Sequence, residues 1–231
     1  MNNPLLLAEL SNVCKSYPNR GAAGQILDNL NFSIYSGDTV AIVGPSGSGK
    51  STLLNVTGLL DTPDTGIVRI MGRETKLCNK DELADIRNKH IGFVFQLHYL
   101  LPQLNLIENI LVPVIPEKDK AKRKLALSRG MELLDQVGLS DKAGQLPGTL
   151  SVGECQRAAV VRALINQPGL VLADEPTGSL DHSSAVQMGE LLSGLCKNYD
   201  VGLVVVTHSV DLANRMKKIY RLQNGKLLSD N

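Results

Sequence analysis

Thr39-Val40-Ala41-Ile42-Val43-Gly44-Pro45-Ser46-Gly47-Ser48-Gly49-Lys50-Ser51-Thr52-Leu53-Leu54 is the stretch that decides how this chain reads. The apolar run Val40 to Val43 predicts a buried strand, and it opens into Gly44, four intervening residues, Gly49-Lys50-Ser51 and a helical pattern. That is a P-loop in its required context. The glycines let the backbone fold around a phosphate chain so that successive N–H groups point inward, and the helix adds the positive end of its dipole. In this pattern Lys50 reaches the β- and γ-phosphates, and the Ser51 hydroxyl ligates Mg²⁺.

The chain around this loop has 231 residues and 24.9 kDa, enough for one sizeable α/β domain with room for a smaller inserted lobe. A single core is expected. With 24 basic and 23 acidic side chains the formal charge is +1, which gives no electrostatic case for a nucleic-acid partner. The absence of tryptophan and an aromatic content of 3% also argue against a base-stacking platform for nucleic acid. Cys14, Cys78, Cys155 and Cys196 have no Cys-x-x-Cys spacing, so neither a zinc site nor a disulfide framework is indicated, and they fit a reducing cytoplasm. Met1 to Leu10 lacks the basic flank and apolar core of a signal peptide, and no segment offers the ~20 apolar residues of a membrane span. Action at a membrane would therefore run through a partner.

Taken in order, residues 5–13 and 26–34 alternate as antiparallel strands with one wet face. Between them Tyr17, beside Pro18, is either surface packing or a ring placed to stack on a purine. Residues 80–90 read as a polar helix and Ile91 to Phe95 as a buried strand ending in Gln96, which is either a capped loop residue or a group reaching the metal and attacking water. From Ile91 to Pro116 the only formal charge is Glu108, and Pro102, Pro113 and Pro116 forbid one continuous helix. This apolar stretch is core or a docking face. An amphipathic helix follows with Leu127, Met131, Leu134 and Val137 on one face, stopped by Gly138. Residues 75–150 together are expected to form a mostly helical lobe inserted between core segments of about 1–75 and 165–231.

Leu150-Ser151-Val152-Gly153-Glu154 starts a helix, apolar nearly all round, from Cys155 to Asn166. Locally Ser151 reads as an N-cap, although a serine hydroxyl and the Gly153 N–H at a helix start also suit phosphate. The run Leu170 to Ala173 predicts a parallel strand covered on both faces, and it ends in Asp174-Glu175. Carboxylates there face the crevice where ligands bind in parallel sheets: Asp174 suits the metal shell around Ser51, and Glu175 is placed to polarise a water. Another buried strand, Leu203 to Val206, ends in Thr207-His208, which brings a γ-phosphate contact within reach of His208. Residues 218–228 predict a hairpin around Asn224-Gly225.

In this order the pieces resemble the nucleotide-binding subunit of an ABC transporter over essentially the whole chain. Tyr17 looks like the A-loop, Gly44 to Thr52 the Walker A, Gln96 the Q-loop and Leu150 to Glu154 the signature. Leu170 to Glu175 looks like the Walker B, Ser179 to Asp181 the D-loop and His208 the switch histidine. Phe95-Gln96-Leu97-His98-Tyr99-Leu100-Leu101-Pro102 and the segment Leu172 to Asp181 look like the MacB, LolD and FtsE branch, most similar to its lipoprotein-release ATPases. The resemblance implies a P-loop NTPase core of mostly parallel sheet with an antiparallel β subdomain and an inserted helical lobe. It implies binding of ATP and Mg²⁺, metal contacts from Ser51, Gln96 and Asp174, and hydrolysis through Glu175, His208, Lys50 and Gln96. It further implies a head-to-tail pair of copies in which Ser151, Gly153 and Asp181 complete the other copy's site, and a permease docking near Leu97 to Asn109 at the cytoplasmic face of the membrane. An FtsE-like nucleotide-gated signalling role, moving no cargo, is the alternative. The signature departs from the family at Val152, where glycine is usual; a β-branched residue stiffens that backbone.

Overall fold

Residues 4–17 and 24–229 are described in this computed structural model; Pro18 lies outside them. The strands are β1 (Leu6–Ser16), β2 (Gln25–Tyr35), β3 (Thr39–Val43), β4 (Thr65–Ile70), β5 (Arg73–Glu74), β6 (Ile91–Phe95), β7 (Leu170–Asp174), β8 (Gly202–Val206), β9 (Lys218–Gln223) and β10 (Lys226–Ser229). The α-helices are α1 (Lys50–Thr57), α2 (Lys80–His90), α3 (Leu106–Leu111), α4 (Lys120–Gln136), α5 (Val152–Leu164), α6 (His182–Asn198) and α7 (Val210–Ala213).

Two sheets of different character result. The alternating segments pair antiparallel in the order β2-β1-β4-β5, and the continuous apolar runs enter a second sheet in the order β10-β9-β3-β8-β7-β6. All neighbours in the second sheet are parallel except the terminal hairpin β9-β10. At the hairpin tip Asn224 and Gly225 both have positive φ, 50° and 76°, as a type I′ turn requires.

The apolar strands are continuous because both faces are covered. Ala41, Val171, Ala173, Leu203 and Val205 face a cluster shared with α3 to α7, whereas Val40, Ile42, Leu170, Leu172, Val204 and Val206 face a cluster shared with β1, β2, β4 and α1. The expected single core is thus two clusters with the parallel sheet between them. Within residues 75–150, β6 is a strand of that sheet, paired with β7 from Ile91↔Leu170 to Phe95↔Asp174, so this part of the range is core rather than lobe. The helices α3 and α4 pack instead against α5.

The face of α4 is a second correction. The helix begins at Lys120, capped by Asp119 accepting from the Ala121 N–H at 2.8 Å, and it buries Ala126, Gly130, Leu133 and Leu134. Leu127 and Met131 remain 44% and 37% exposed, although Leu134 and Val137 are buried as expected. Small residues decide the orientation: a Cβ on Gly130 would come within 2.9 Å of Ile107, so α3 docks where the helix is thinnest.

The docking of α5 on the sheet is equally close. A Cβ on Gly92 would lie 2.3 Å from the Ala163 carbonyl oxygen, which is backbone and cannot swing aside. Gly92→Ala should therefore lower the unfolding free energy by about 1–3 kcal/mol through overpacking. Urea denaturation reads this directly; a wild-type midpoint would contradict the packing described.

Candidate nucleotide site

Parallel register aligns the strand ends. Ile42 is level with Val206, Val206 with Asp174, and Asp174 with Phe95, so the residues that follow emerge side by side at one edge of the sheet. These are Gly44 and its loop, His208, Glu175 and Gln96. They border a cavity of about 550 Å³ lined by Tyr17, Ile26, Ser46, Gly47, Gly49, Lys50, Ser51, Thr52, Gln96, Asp174, Glu175, Gly178 and His208.

The loop is built for an anion. Gly49, at φ 103°, caps α1, and a Cβ there would lie 2.5 Å from Ile26 Cγ2. A Cβ on Gly44 would sit 2.5 Å from the Leu222 carbonyl oxygen. Only glycine suits either place. Leu53 is the residue whose N–H closes the first turn, onto Gly49 O at 2.8 Å, which leaves the N–H groups of Lys50, Ser51 and Thr52 as the open donors of the helix start. Lys50 is only 6% exposed; its Nζ donates to Gly44 O at 2.9 Å and Pro45 O at 3.1 Å and lies 3.3 Å from His208 Nε2. Burial pushes the Lys50 pKa down, opposed by the charges of Glu175 and Asp174.

Burial raises the Asp174 pKa, and the Glu175 charge adds to it, while the Ser51 hydroxyl bond and the Lys50 charge work the other way. Glu175 sits at φ 46°, a left-handed backbone uncommon outside glycine. Its Oε2 accepts from the Thr207 hydroxyl and the His208 N–H, each at 3.1 Å. Its Oε1 is 3.5 Å from His208 Nε2 without hydrogen-bond geometry, and is buried with no such partner among the described residues. The strained turn and the two donors therefore hold one carboxylate oxygen and leave the other open.

These contacts sort the expected site residues. Tyr17, Ser46, Gly47, Gly49, Lys50, Ser51, Thr52, Gln96, Asp174, Glu175 and His208 share the cavity, and Gly44, Pro45 and Ser48 complete the loop behind it. Ser151, Gly153 and Asp181 do not line it. Ser151 caps α5 in a reciprocal box: it accepts from the Glu154 N–H at 3.3 Å and donates to Glu154 Oε2 at 2.8 Å. Lys142, ion-paired to Glu154, together with the Ser151 hydrogen bonds holds that carboxyl down to about 2. Asp181 caps α6, with the hydroxyls of Ser183 and Ser184 holding its carboxyl well below the usual range. Ile26 and Gly178 are lining residues that the sequence reading missed. Ile26 hides in the apolar alternation of β2, and Gly178 is small because Gln96 lies over it, 3.0 Å from where a Cβ would be.

The family model described as ABC transporter matches residues 27–178. The chain belongs to the ABC transporter family. It is 46% identical to a lipoprotein-releasing system ATP-binding protein, LolD 1, of Rhodopirellula baltica, covering 97% of this chain and 96% of that one. It is 43% identical to the LolD of Francisella tularensis subsp. holarctica, covering 98% and 97%. Among solved structures it is similar to the dimeric ATP-binding cassette MJ0796 in a post-hydrolysis state bound to ADP and Pi, with 36% identity, a TM-score of 0.82 and 96% of both chains covered. The protein is accordingly an ATP-binding, ATP-hydrolysing subunit of an ABC transporter, with the P-loop ABC ATPase fold.

The hold on Glu175 is open to test. Thr207→Val keeps the shape but removes the donor to Glu175 and the acceptor of the Ser209 N–H, and it should lower kcat about tenfold with little change in ATP affinity as the hold on the carboxylate loosens. Steady-state phosphate release with separate nucleotide titration measures both; an unchanged kcat would remove Thr207 from the positioning of Glu175.

Proposed function

We propose that this chain is the Mg²⁺-dependent ATPase of a lipoprotein-releasing system, working as a head-to-tail pair that drives an integral membrane partner. The convergence of Lys50, Asp174, the open oxygen of Glu175 and His208 on one cavity at the end of the P-loop carries the ATPase reading, and the likeness to LolD proteins over nearly the whole chain supports the lipoprotein-releasing system. In this reading Tyr17 stacks on the base, and the ammonium of Lys50 exchanges the carbonyls of Gly44 and Pro45 for β- and γ-phosphate oxygens. The Glu175 Oε1 takes the proton of the attacking water, Gln96 orients that water, and His208 contacts the γ-phosphate. Phosphoryl transfer needs little beyond such positioning and charge neutralisation.

The donors suit Mg²⁺. The Ser51 hydroxyl and the Asp174 carboxylate, hydrogen-bonded to each other and with Gln96 on the same cavity, would hold the ion, and the described residues hold no group of three or more His, Cys, Asp or Glu fit to cage a metal on their own. One carboxylate and a hydroxyl completed by phosphate oxygens is the usual Mg²⁺ arrangement, and the ion would supply charge neutralisation. Because burial raises the Asp174 pKa, its carboxylate is lost at a higher pH than an ordinary aspartate, which titrates near ~3.9.

The dimer reading rests on what the single copy leaves outside. Ser151 and Gly153 sit at a helix start away from the cavity, beside Val152 at 52% exposure, as residues meant for a second copy's nucleotide would. The MJ0796 cassettes, solved as dimers, support the pairing of two copies. Glu175→Gln should cut phosphate release by about 10²–10⁴-fold, the range for losing a general base, while ATP drives the variant into a stable dimer on size-exclusion chromatography. Wild-type turnover would remove Glu175 as the base. Val152→Gly should change steady-state turnover but not the single-turnover rate; unchanged turnover and dimer affinity would clear Val152 of any effect.

The membrane partner would dock beside Gln96. Leu97, Tyr99 and Leu101 are 60%, 61% and 46% exposed, whereas Leu100, Leu106 and Ile110 of the same segment are buried. Next to them a groove of about 480 Å³ is lined by Phe93, Phe95, Val112, Pro113 and Arg162. Asn109, fully buried, holds this face in shape by accepting from the Leu101 N–H at 2.6 Å and donating to the carbonyls of Leu101, Leu104 and Asn105. No helix among the described residues is long and apolar enough to cross a membrane, so attachment at the cytoplasmic face would come from that partner. Leu97→Asp with Tyr99→Asp should leave ATP hydrolysis by the isolated chain intact and abolish its sedimentation with membranes carrying the partner; undiminished sedimentation would move the dock elsewhere.

A further inference from the structure

Tyr17 is tied down from behind. Its ring forms one wall of the cavity, and its hydroxyl donates to Asp61 Oδ2 at 2.6 Å. Asp61 lies in the turn that follows α1, and its Oδ1 accepts from Lys15 Nζ at 2.8 Å and from the Thr62 N–H at 2.7 Å. Lys15 also donates to Thr62 O at 2.8 Å, approaches Asp64 Oδ1 to 3.9 Å, and places its ammonium 5.1 Å from the centre of the Tyr17 ring. Asp64 Oδ2 in turn accepts from the Ser16 N–H at 2.7 Å. Phenol, carboxylate and ammonium thus close a three-membered circuit, and the strand end carrying the ring is pinned to the same turn.

The circuit is partly buried and electrically matched. Lys15 is 8% exposed, and a buried ammonium persists only with close partners. Burial disfavours its charge, yet the hydrogen bond and charge of Asp61 outweigh that and raise its pKa. Burial also opposes the Asp61 carboxylate, and the bonds from Lys15 and Tyr17 more than reverse it. Both charges are therefore kept at neutral pH. The turn bearing Asp61 leaves directly from α1, whose first turn is the phosphate cradle. A ring anchored there is held at a set distance from the phosphates.

We propose that Asp61, clamped by Lys15, is a positioning residue for the nucleobase, fixing the Tyr17 ring relative to the P-loop so that affinity for the base, and not for the phosphates, depends on it. The proposal rests on the reading of Tyr17 as the base-stacking wall. A rigid aromatic surface binds better because its ordering is already complete. Stacking needs only the ring, so Tyr17→Phe keeps the platform and cuts the anchor, together with the hydroxyl's contact to the Thr52 side chain, whereas Asp61→Asn leaves that contact in place and Tyr17→Ala removes the platform.

Calorimetry on the full chain with Mg-ATP and, separately, with inorganic tripolyphosphate tests this. Tyr17→Phe and Asp61→Asn should each weaken ATP binding about fivefold, the double variant no more than either alone, with tripolyphosphate binding unchanged. Equal weakening of both ligands would assign Asp61 to the fold of the P-loop and overturn the proposal. ATP binding at the wild-type level in Tyr17→Phe and Asp61→Asn, with Tyr17→Ala impaired, would overturn the anchor and keep the stacking. Wild-type ATP binding by Tyr17→Ala would remove the stacking reading itself.

Discussion

The parallel hydrogen-bond register of β3, β8, β7 and β6 is the constraint on which the rest of the structure depends. Ile42, Val206, Asp174 and Phe95 stand level, so four chain segments distant in sequence leave the sheet at one edge. A slip of one residue in any pair would move each apolar side chain to the opposite face of the sheet, into a cluster packed for other residues, and would put the strand-end carboxylates out of step with the P-loop, because side chains alternate with period 2. The core therefore enforces the site: Val171, Ala173, Val204 and Val206 can be buried on the correct faces only if Asp174, Glu175 and His208 meet.

That convergence concentrates charge. Lys50 is buried beside Asp174, Glu175 and His208, with its ammonium resting on the loop carbonyls of Gly44 and Pro45. Carbonyl oxygens satisfy it without neutralising it, so a triphosphate entering the cavity meets a partly desolvated cation and open helix N–H donors. The two carboxylates would repel the same anion, and in the proposed function a divalent cation held by Asp174 would offset that repulsion. Glu175 is directed by its left-handed backbone and its bonds to Thr207 and His208, although its charge still adds to the raised pKa of Asp174.

Much of this was legible in the sequence because the strands are apolar along their length and polar at their ends. Val40 to Val43 before the P-loop, Leu170 to Ala173 before Asp174-Glu175, and Leu203 to Val206 before Thr207-His208 each announce a covered strand with a functional tip. The face of α4 was not legible, because its contact residues include Gly130 and Ala126, which hydrophobic periodicity ignores, whereas the exposed Leu127 and Met131 mimic a buried stripe. Lys15 and Asp61 were equally hidden, since a charged pair 46 residues apart leaves no local pattern. Ser151 and Asp181 gave the reverse difficulty: within one copy each is fully explained as a helix cap.

The most direct test is a crystal structure of the Glu175→Gln variant with Mg-ATP. The account predicts the γ-phosphate in contact with Lys50, the metal between Asp174 and Ser51, and a second copy closing the cavity with its own residues at positions 151 and 153. A triphosphate seated away from Lys50, or one enclosed by a single copy with those positions facing solvent, would contradict it.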